Sequence, residues 1–201
     1  MKFVSFYTRA TPYEQVANEF LLPTLKKFNL DSHIEEIEDL GSWDANTSYK
    51  SVFILNCLEK FKESICFLDA DAEIIKYPEL LYNLPKDFDF AYHLLNWNGH
   101  WRNNWDDTSN MHLLSGTLAI GYTDKAIGVL NRFKEECPKS VGKWEQKILQ
   151  DIIESTPNLN VTLLPAEYCC VLMTDYSMPK YIKDPVIVHN QCSRKYRYFD
   201  R

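Results

Sequence analysis

No stretch of this sequence approaches the ~20 consecutive apolar residues that a membrane-spanning helix requires, so no transmembrane segment is expected. The apolar run before Arg9 is too short for a signal-peptide core. Positive charge is also scarce. The 22 lysines and arginines stand against 28 acids, for a net charge of −6 and a pI near 5.4. That balance excludes a broad nucleic-acid or anionic-membrane surface. The six cysteines show neither a CxxC pair nor a Cys/His zinc spacing. Most lie in apolar segments, as buried thiols of a reducing compartment do, which points to a cytoplasmic location. The sequons Asn46-Thr47-Ser48 and Asn160-Val161-Thr162 would matter only on a secreted chain. Internal repeats, low-complexity tracts and linkers are lacking, which leaves one domain.

The 201 residues are 45% apolar and 25% charged, which is ordinary globular usage and long enough for a proper core. Phe3 to Thr8 is predicted as a buried strand. Thr11-Pro12-Tyr13-Glu14 is a capping box, opening a helix that Pro23 should kink or end. His33 to Ile37 is the next strand, followed by a helix capped at Asn46 or Thr47 and then by the apolar strand Ile65 to Asp69. Strand, helix, strand, helix, strand implies a mostly parallel sheet with helices on both faces, an α/β fold whose ligands sit beyond the carboxyl ends of the strands. In the second half, Phe88 to Leu94 and His112 to Gly121 read as strands around an irregular tryptophan-rich connection. Helices follow from Thr123 to Phe133 and from Trp144 to Ile153, then short strands at Val161 to Leu164, Cys169 to Met173 and Val186 to His189.

The sharpest chemical signal is Ile65-Cys66-Phe67-Leu68-Asp69-Ala70-Asp71, an apolar strand that runs into two aspartates one residue apart. In extended chain, residues i and i+2 face the same way, so both carboxylates would meet at one spot. Two carboxylates that close repel unless a cation lies between them, and Mn²⁺ or Mg²⁺ is the natural occupant. Trp97, Trp101 and Trp105 recur every four residues. On a helix they would form one stripe, either facing the core or presenting indole faces to an acceptor sugar. The last eight residues concentrate Arg194, Lys195, Arg197 and Arg201 against Asp200 alone.

This order of motifs resembles the GT-A glycosyltransferases, in particular the small nucleotide-diphospho-sugar transferases related to retaining galactosyl- and glucosyltransferases. The resemblance rests on Ser5-Phe6-Tyr7-Thr8, Lys50, Asp69-Ala70-Asp71, Leu114-Ser115-Gly116 with Glu145-Gln146, and His189. It implies a single GT-A domain over 1–201, with a nucleotide-binding half to about residue 95 and an acceptor and metal-completing half beyond it. By the same resemblance, Tyr7 and Thr8 hold the nucleoside, Lys50 meets the donor phosphates or ribose, and Asp69, Asp71 and His189 hold the metal. Ala70 lies at the donor, and Ser115 and Gly116 lie beneath the transferred sugar. Lys195, or Arg194 or Arg197 in its place, faces the diphosphate. Gln146 has no proton-accepting group and would sit near the anomeric carbon, while Glu145 contacts a sugar hydroxyl or acts as a base, a role also open to Asp106 and Asp107. The implied reaction moves a hexose from a UDP-sugar to an acceptor hydroxyl on a glycan, protein or small molecule, with retention. Two alternatives stand beside it: a haloacid-dehalogenase-like phosphatase using Asp69 as nucleophile, against which Glu73 and the late position of the motif argue, and a catalytically silent nucleotide-sugar-binding module.

Overall fold

A computed structural model describes residues 1–140 and 143–196. Strand β1 (Lys2–Thr8) is followed by Thr11, whose hydroxyl accepts from the Tyr13 N–H to cap α1 (Pro12–Val16). Glu14 reaches back to the N–H of Ala10, one residue outside the expected capping box. Pro23 neither ends nor breaks the helix. One π-helical turn, Ala17–Leu21, carries the chain into α2 (Leu22–Lys27), and its i→i+5 bonding opens the ladder where the proline ring would otherwise clash. After β2 (Ser32–Ile37), helix α3 (Trp43–Phe61) begins earlier than expected, capped by the Ser42 hydroxyl. Asn46 lies inside that helix and ties down the preceding loop through Leu40 N–H and Asp39.

Strand β3 (Ile65–Leu68) is fully buried and runs into β4 (Ala72–Ile74), followed by the short α4 (Glu79–Tyr82). Then come β5 (Phe90–Asn96), α5 (Trp97–Arg102), β6 (Met111–Ile120), α6 (Asp124–Glu136, capped by Thr123) and α7 (Glu145–Ser155). The chain closes with β7 (Val161–Leu163), β8 (Cys170–Val171), β9 (Ile187–His189) and α8 (Ser193–Tyr196). No helix among the described residues is long and apolar enough to cross a membrane.

The main sheet has the order β2-β1-β3-β6-β5-β7, with β1–β2, β1–β3 and β5–β7 parallel and β6 antiparallel to both its neighbours. One apolar cluster joins α3, α6 and α7 to one face of this sheet, through Phe53, Phe67, Phe133 and Leu149. A second joins the first helices and β9 to the other, through Phe3, Leu21, Leu68 and Ile187. The fold is therefore a mostly parallel α/β sheet flanked by helices. A small second sheet, β4-β9-β8, lies next to the acidic turn and sets the register Ala72↔His189.

Candidate active site

Asp69, Asp71 and His189 converge: a ligand atom from each lies within 4.8 Å of the other two. Asp69 and Asp71 do not meet as alternate residues of an extended strand. The chain turns there, with Ala72 N–H donating to Asp69 O (2.9 Å) and Asp69 N–H to Gly116 O (2.9 Å). The turn into β4 does what strand alternation was expected to do. The β4–β9 pairing then brings His189 alongside, with its Nδ1 3.6 Å from Asp71 Oδ1. Its Nε2 lies 2.8 Å from Thr117 Oγ1. If Nε2–H donates to that hydroxyl, Nδ1 presents its lone pair to the two carboxylates, the usual way a protein orients a metal-binding imidazole.

Strand β6 supplies the support through an irregularity. Tyr92 pairs with Leu118 but His93 with Leu114, so Ser115, Gly116 and Thr117 bulge out of the β5–β6 pairing. All three serve the site. Ser115 Oγ bonds Lys50 and Glu145, Gly116 lies under the ring of His189, and Thr117 bonds its Nε2. A Cβ on Gly116 would stand 2.8 Å from His189 Cε1 and 3.1 Å from Asp69 Oδ2.

Lys50, only 4% exposed on α3, is surrounded by acceptors: Asp69 Oδ1 at 2.9 Å, Glu145 Oε1 at 3.0 Å and Ser115 Oγ at 2.9 Å. Burial would lower its pKa, but the two carboxylates outweigh it and hold the ammonium charged. For Asp71, burial pushes the pKa up, and the His189 imidazole, the Cys192 N–H on Oδ2 and Lys50 together bring it below the usual carboxylate range. Asp69 and Glu145 pair with Lys50 while Asp71 lies beside His189, so three carboxylates meet in this cluster. An anionic diphosphate would be repelled from it without a cation. The oxygen, oxygen and nitrogen donors suit Mn²⁺ or Mg²⁺, and Gly116 keeps clear the space a Cβ would take.

The cluster opens into a cavity of about 550 Å³ at the carboxyl ends of β1 and β3. Its walls are aromatic, including Tyr7, Tyr13, Trp43, Trp97, Trp101 and Trp144. This is the position ligands take in open α/β sheets, here equipped for a charged, ring-bearing ligand.

Residues 52–198 match the model of a nucleotide-diphospho-sugar transferase family. The chain belongs to that family. Among solved structures it is similar to a glycosyltransferase involved in glycosylation of the major capsid of PBCV-1 (TM-score 0.70, 19% identity, 98% of this chain and 96% of that one). It is also similar to the galactosyltransferase LgtC, solved with donor and acceptor sugar analogs (TM-score 0.58, 10% identity, 94% and 86%). A third is mouse xyloside xylosyltransferase 1 (TM-score 0.58, 10% identity, 96% and 99%). At such identities the likeness is one of fold, and it is the GT-A fold. No curated protein matches the sequence. The family match sets aside the phosphatase alternative.

Within this transferase, Tyr7, Thr8, Lys50, Asp69, Ala70, Asp71, Glu145 and Gln146 all line the cavity, and Ser115 and Gly116 lie just beneath it. Tyr7 donates its hydroxyl to Glu36 (3.2 Å). Lys50 has its ammonium committed to Asp69, Glu145 and Ser115, which leaves it little to offer a phosphate. Lys195 is exposed and lies over the Tyr196 ring, away from the cavity. Its neighbour Arg194 does line the cavity, donating to Met173 O (2.7 Å) and Leu172 O (3.1 Å) with its guanidinium 5.0 Å from the Trp101 ring. Arg197 lies outside the described residues. The three tryptophans are not one stripe, because α5 ends at Asn103 in the left-handed region (φ 54°). Trp97 and Trp101 stack (5.3 Å, 16°) and line the cavity, whereas Trp105 packs on Tyr181 and against Gly99. Asp106 is exposed and Asp107 holds Ser109; neither lines the cavity. Sequence reasoning missed Thr117, Trp43, Asn110, His112 and Trp144. Asn110 and His112 did carry a signal, the period-two run Asn110, His112, Leu114.

Proposed function

We propose that this transferase moves a hexose from a UDP-sugar to an acceptor hydroxyl, with retention, using a divalent cation held by Asp69, Asp71 and His189. The carrying observation is that cluster on the floor of an aromatic cavity. When bound, Mn²⁺ or Mg²⁺ supplies Lewis-acid stabilisation of the departing diphosphate. In the same reading, Tyr7 offers its ring to the base and Thr8 lies at the nucleoside end. Ala70, in the turn between the two aspartates, keeps that turn narrow against the donor. Arg194, already aligned by two carbonyls and the Trp101 ring, takes the diphosphate role first given to Lys195. Lys50 acts as a positioning residue, holding Asp69 and Glu145 in place.

Retention is favoured by the state of the cavity's carboxylates. Asp69 and Asp71 belong to the cation, and Glu145 is engaged by Lys50 and Ser115. Gln146, at the first turn of α7, faces the cavity with an amide oxygen able to stabilise positive charge at the anomeric carbon but unable to take a proton. The six cysteines, all free thiols, support a reducing, cytoplasmic setting.

The test is nucleotide release from UDP-glucose and UDP-galactose. Turnover that needs Mn²⁺ or Mg²⁺, stops with chelator and is lost in Asp71→Ala supports the reading. Tight UDP binding with no turnover of any UDP-hexose would make the chain a binding module instead.

A further inference from the structure

Arg194 owes its direction to groups behind it. Its guanidinium donates to Leu172 O and Met173 O and lies 5.0 Å from the Trp101 ring. The two carbonyls belong to the segment that follows β8, and Trp101 belongs to α5. Met173 closes a tight turn in that segment, its N–H donating to Ser177 O (2.9 Å) and its carbonyl accepting from the Tyr176 N–H (3.0 Å). Within α5, His100 is 3% exposed and sits against Trp101, with ring centroids 4.1 Å apart. Its Nδ1 lies 2.7 Å from the hydroxyl of Tyr181, which is in the same segment as the two carbonyls. One buried imidazole therefore ties the ring beside Arg194 to the loop that holds Arg194.

The state of the ring suits this tie. Burial, and then the charge of Arg194, push the His100 pKa down to about 4, so the imidazole is neutral at neutral pH and its Nδ1 can accept from the Tyr181 O–H. A protonated ring would instead set a like charge near the guanidinium. Trp105 holds Tyr181 as well, with ring centroids 4.7 Å apart and planes at 78°. Gly99 allows that placement, because a Cβ there would stand 2.2 Å from the Trp105 ring. Two of the three regularly spaced tryptophans thus serve Arg194, Trp101 directly and Trp105 through Tyr181.

We propose that His100 and Tyr181 are positioning residues for the diphosphate contact, their hydrogen bond holding Trp101 and the Leu172 and Met173 carbonyls in the arrangement that aims Arg194 into the cavity. This inference rests on the transferase reading and on the diphosphate role it gives Arg194. Neither residue is among those lining the cavity, so both act through Arg194 and not on the ligand. A guanidinium held in place before the diphosphate arrives has less rotamer freedom to lose on binding.

Titration of the full chain with UDP in the presence of Mn²⁺ tests this, with uridine, which lacks the diphosphate, as the second probe. Tyr181→Phe removes only a hydroxyl from a side chain that is 39% exposed. It should weaken UDP about fivefold, the scale of one hydrogen bond, and leave uridine unchanged. His100→Gln should do the same. In an Arg194→Ala background neither substitution should weaken UDP further, because the residue they act through is gone. Wild-type UDP affinity in Tyr181→Phe, a loss shared by uridine, or equal losses with and without Arg194 would overturn the proposal. Arg194→Ala binding UDP as tightly as the wild type would instead refute the diphosphate role of Arg194 in the transferase reading.

Discussion

Gly116 and His189 touch across two sheets, with the space for a glycine Cβ only 2.8 Å from the imidazole Cε1. The ring cannot retreat cheaply. His189 is 2% exposed, paired in β9 and hydrogen-bonded to Thr117. A methyl group at 116 must therefore push the imidazole, or the nearby Asp69 carboxylate, away from the cation position. Gly116→Ala should weaken Mn²⁺ binding at least tenfold, about 1.4 kcal/mol, while the main sheet stays folded. Calorimetric Mn²⁺ titration beside a thermal melt checks both parts, and unchanged affinity would remove Gly116 from the site.

Lys50 holds two carboxylates that have few other partners. Removing its charge strands Glu145, which is 8% exposed, and leaves Asp69 with its repulsion from Asp71. Breaking a buried pair from one side typically costs about 3–5 kcal/mol. The exposed rim of Asp69 moderates this, so Lys50→Met should lose about 3 kcal/mol in denaturant unfolding. A loss below about 1 kcal/mol would mean that the network is solvent-screened and not structural.

The α/β order and the acid pair were legible because each rests on local pattern, apolar strands and a strand end rich in acids, whereas His189 was singled out only by the family resemblance. What joins them was not. The antiparallel match of Ala72 with His189 depends on a three-strand sheet whose members are two or three residues long, too short for any periodic signal. The bulge at Ser115 to Thr117 is likewise set by pairing with β5, so it placed a glycine in the sequence without saying what approached it. The tryptophan spacing misled for a local reason: α5 ends at Asn103, and Trp105 swings away.

The imidazole and carboxylate of His189 and Asp71 also set a pH dependence. Burial would lower the His189 pKa, but Cys169 and Asp71 outweigh it and hold it well above its ordinary value. A raised value means the proton is still bound near neutrality, so a cation must displace it. Mn²⁺ uptake should release close to one proton, and affinity should rise with pH by up to about tenfold per unit until His189 is deprotonated. Calorimetry in buffers of differing ionisation enthalpy reads the proton directly. Uptake with no proton release would mean that His189 is not a ligand.

Arg194 and Lys195 are adjacent in sequence but differ in direction. Arg194 faces the cavity and is held by two carbonyls, whereas Lys195 lies in solvent. A positioned guanidinium contributes about 1.5–3 kcal/mol to an anion contact, so Arg194→Ala should raise KM for the UDP-sugar about tenfold or more. Lys195→Ala should have the smaller effect of the two. The reverse ranking, from steady-state kinetics on both variants, would return the diphosphate contact to Lys195.

Gln146 and Glu145 are neighbours with opposite duties. Glu145 points inward to Lys50 and Ser115, while Gln146 faces the cavity. Gln146→Ala should therefore lower kcat by about 10²-fold, the scale of one lost transition-state dipole, with little change in Tm. Glu145→Gln should lower Tm, because Lys50 loses one of its two charged partners. The stereochemical outcome follows from the same division. With every cavity carboxylate engaged by the cation or by Lys50, the product should keep the donor's anomeric configuration, as read by proton NMR of the first turnover. An inverted product would require a base on the acceptor side.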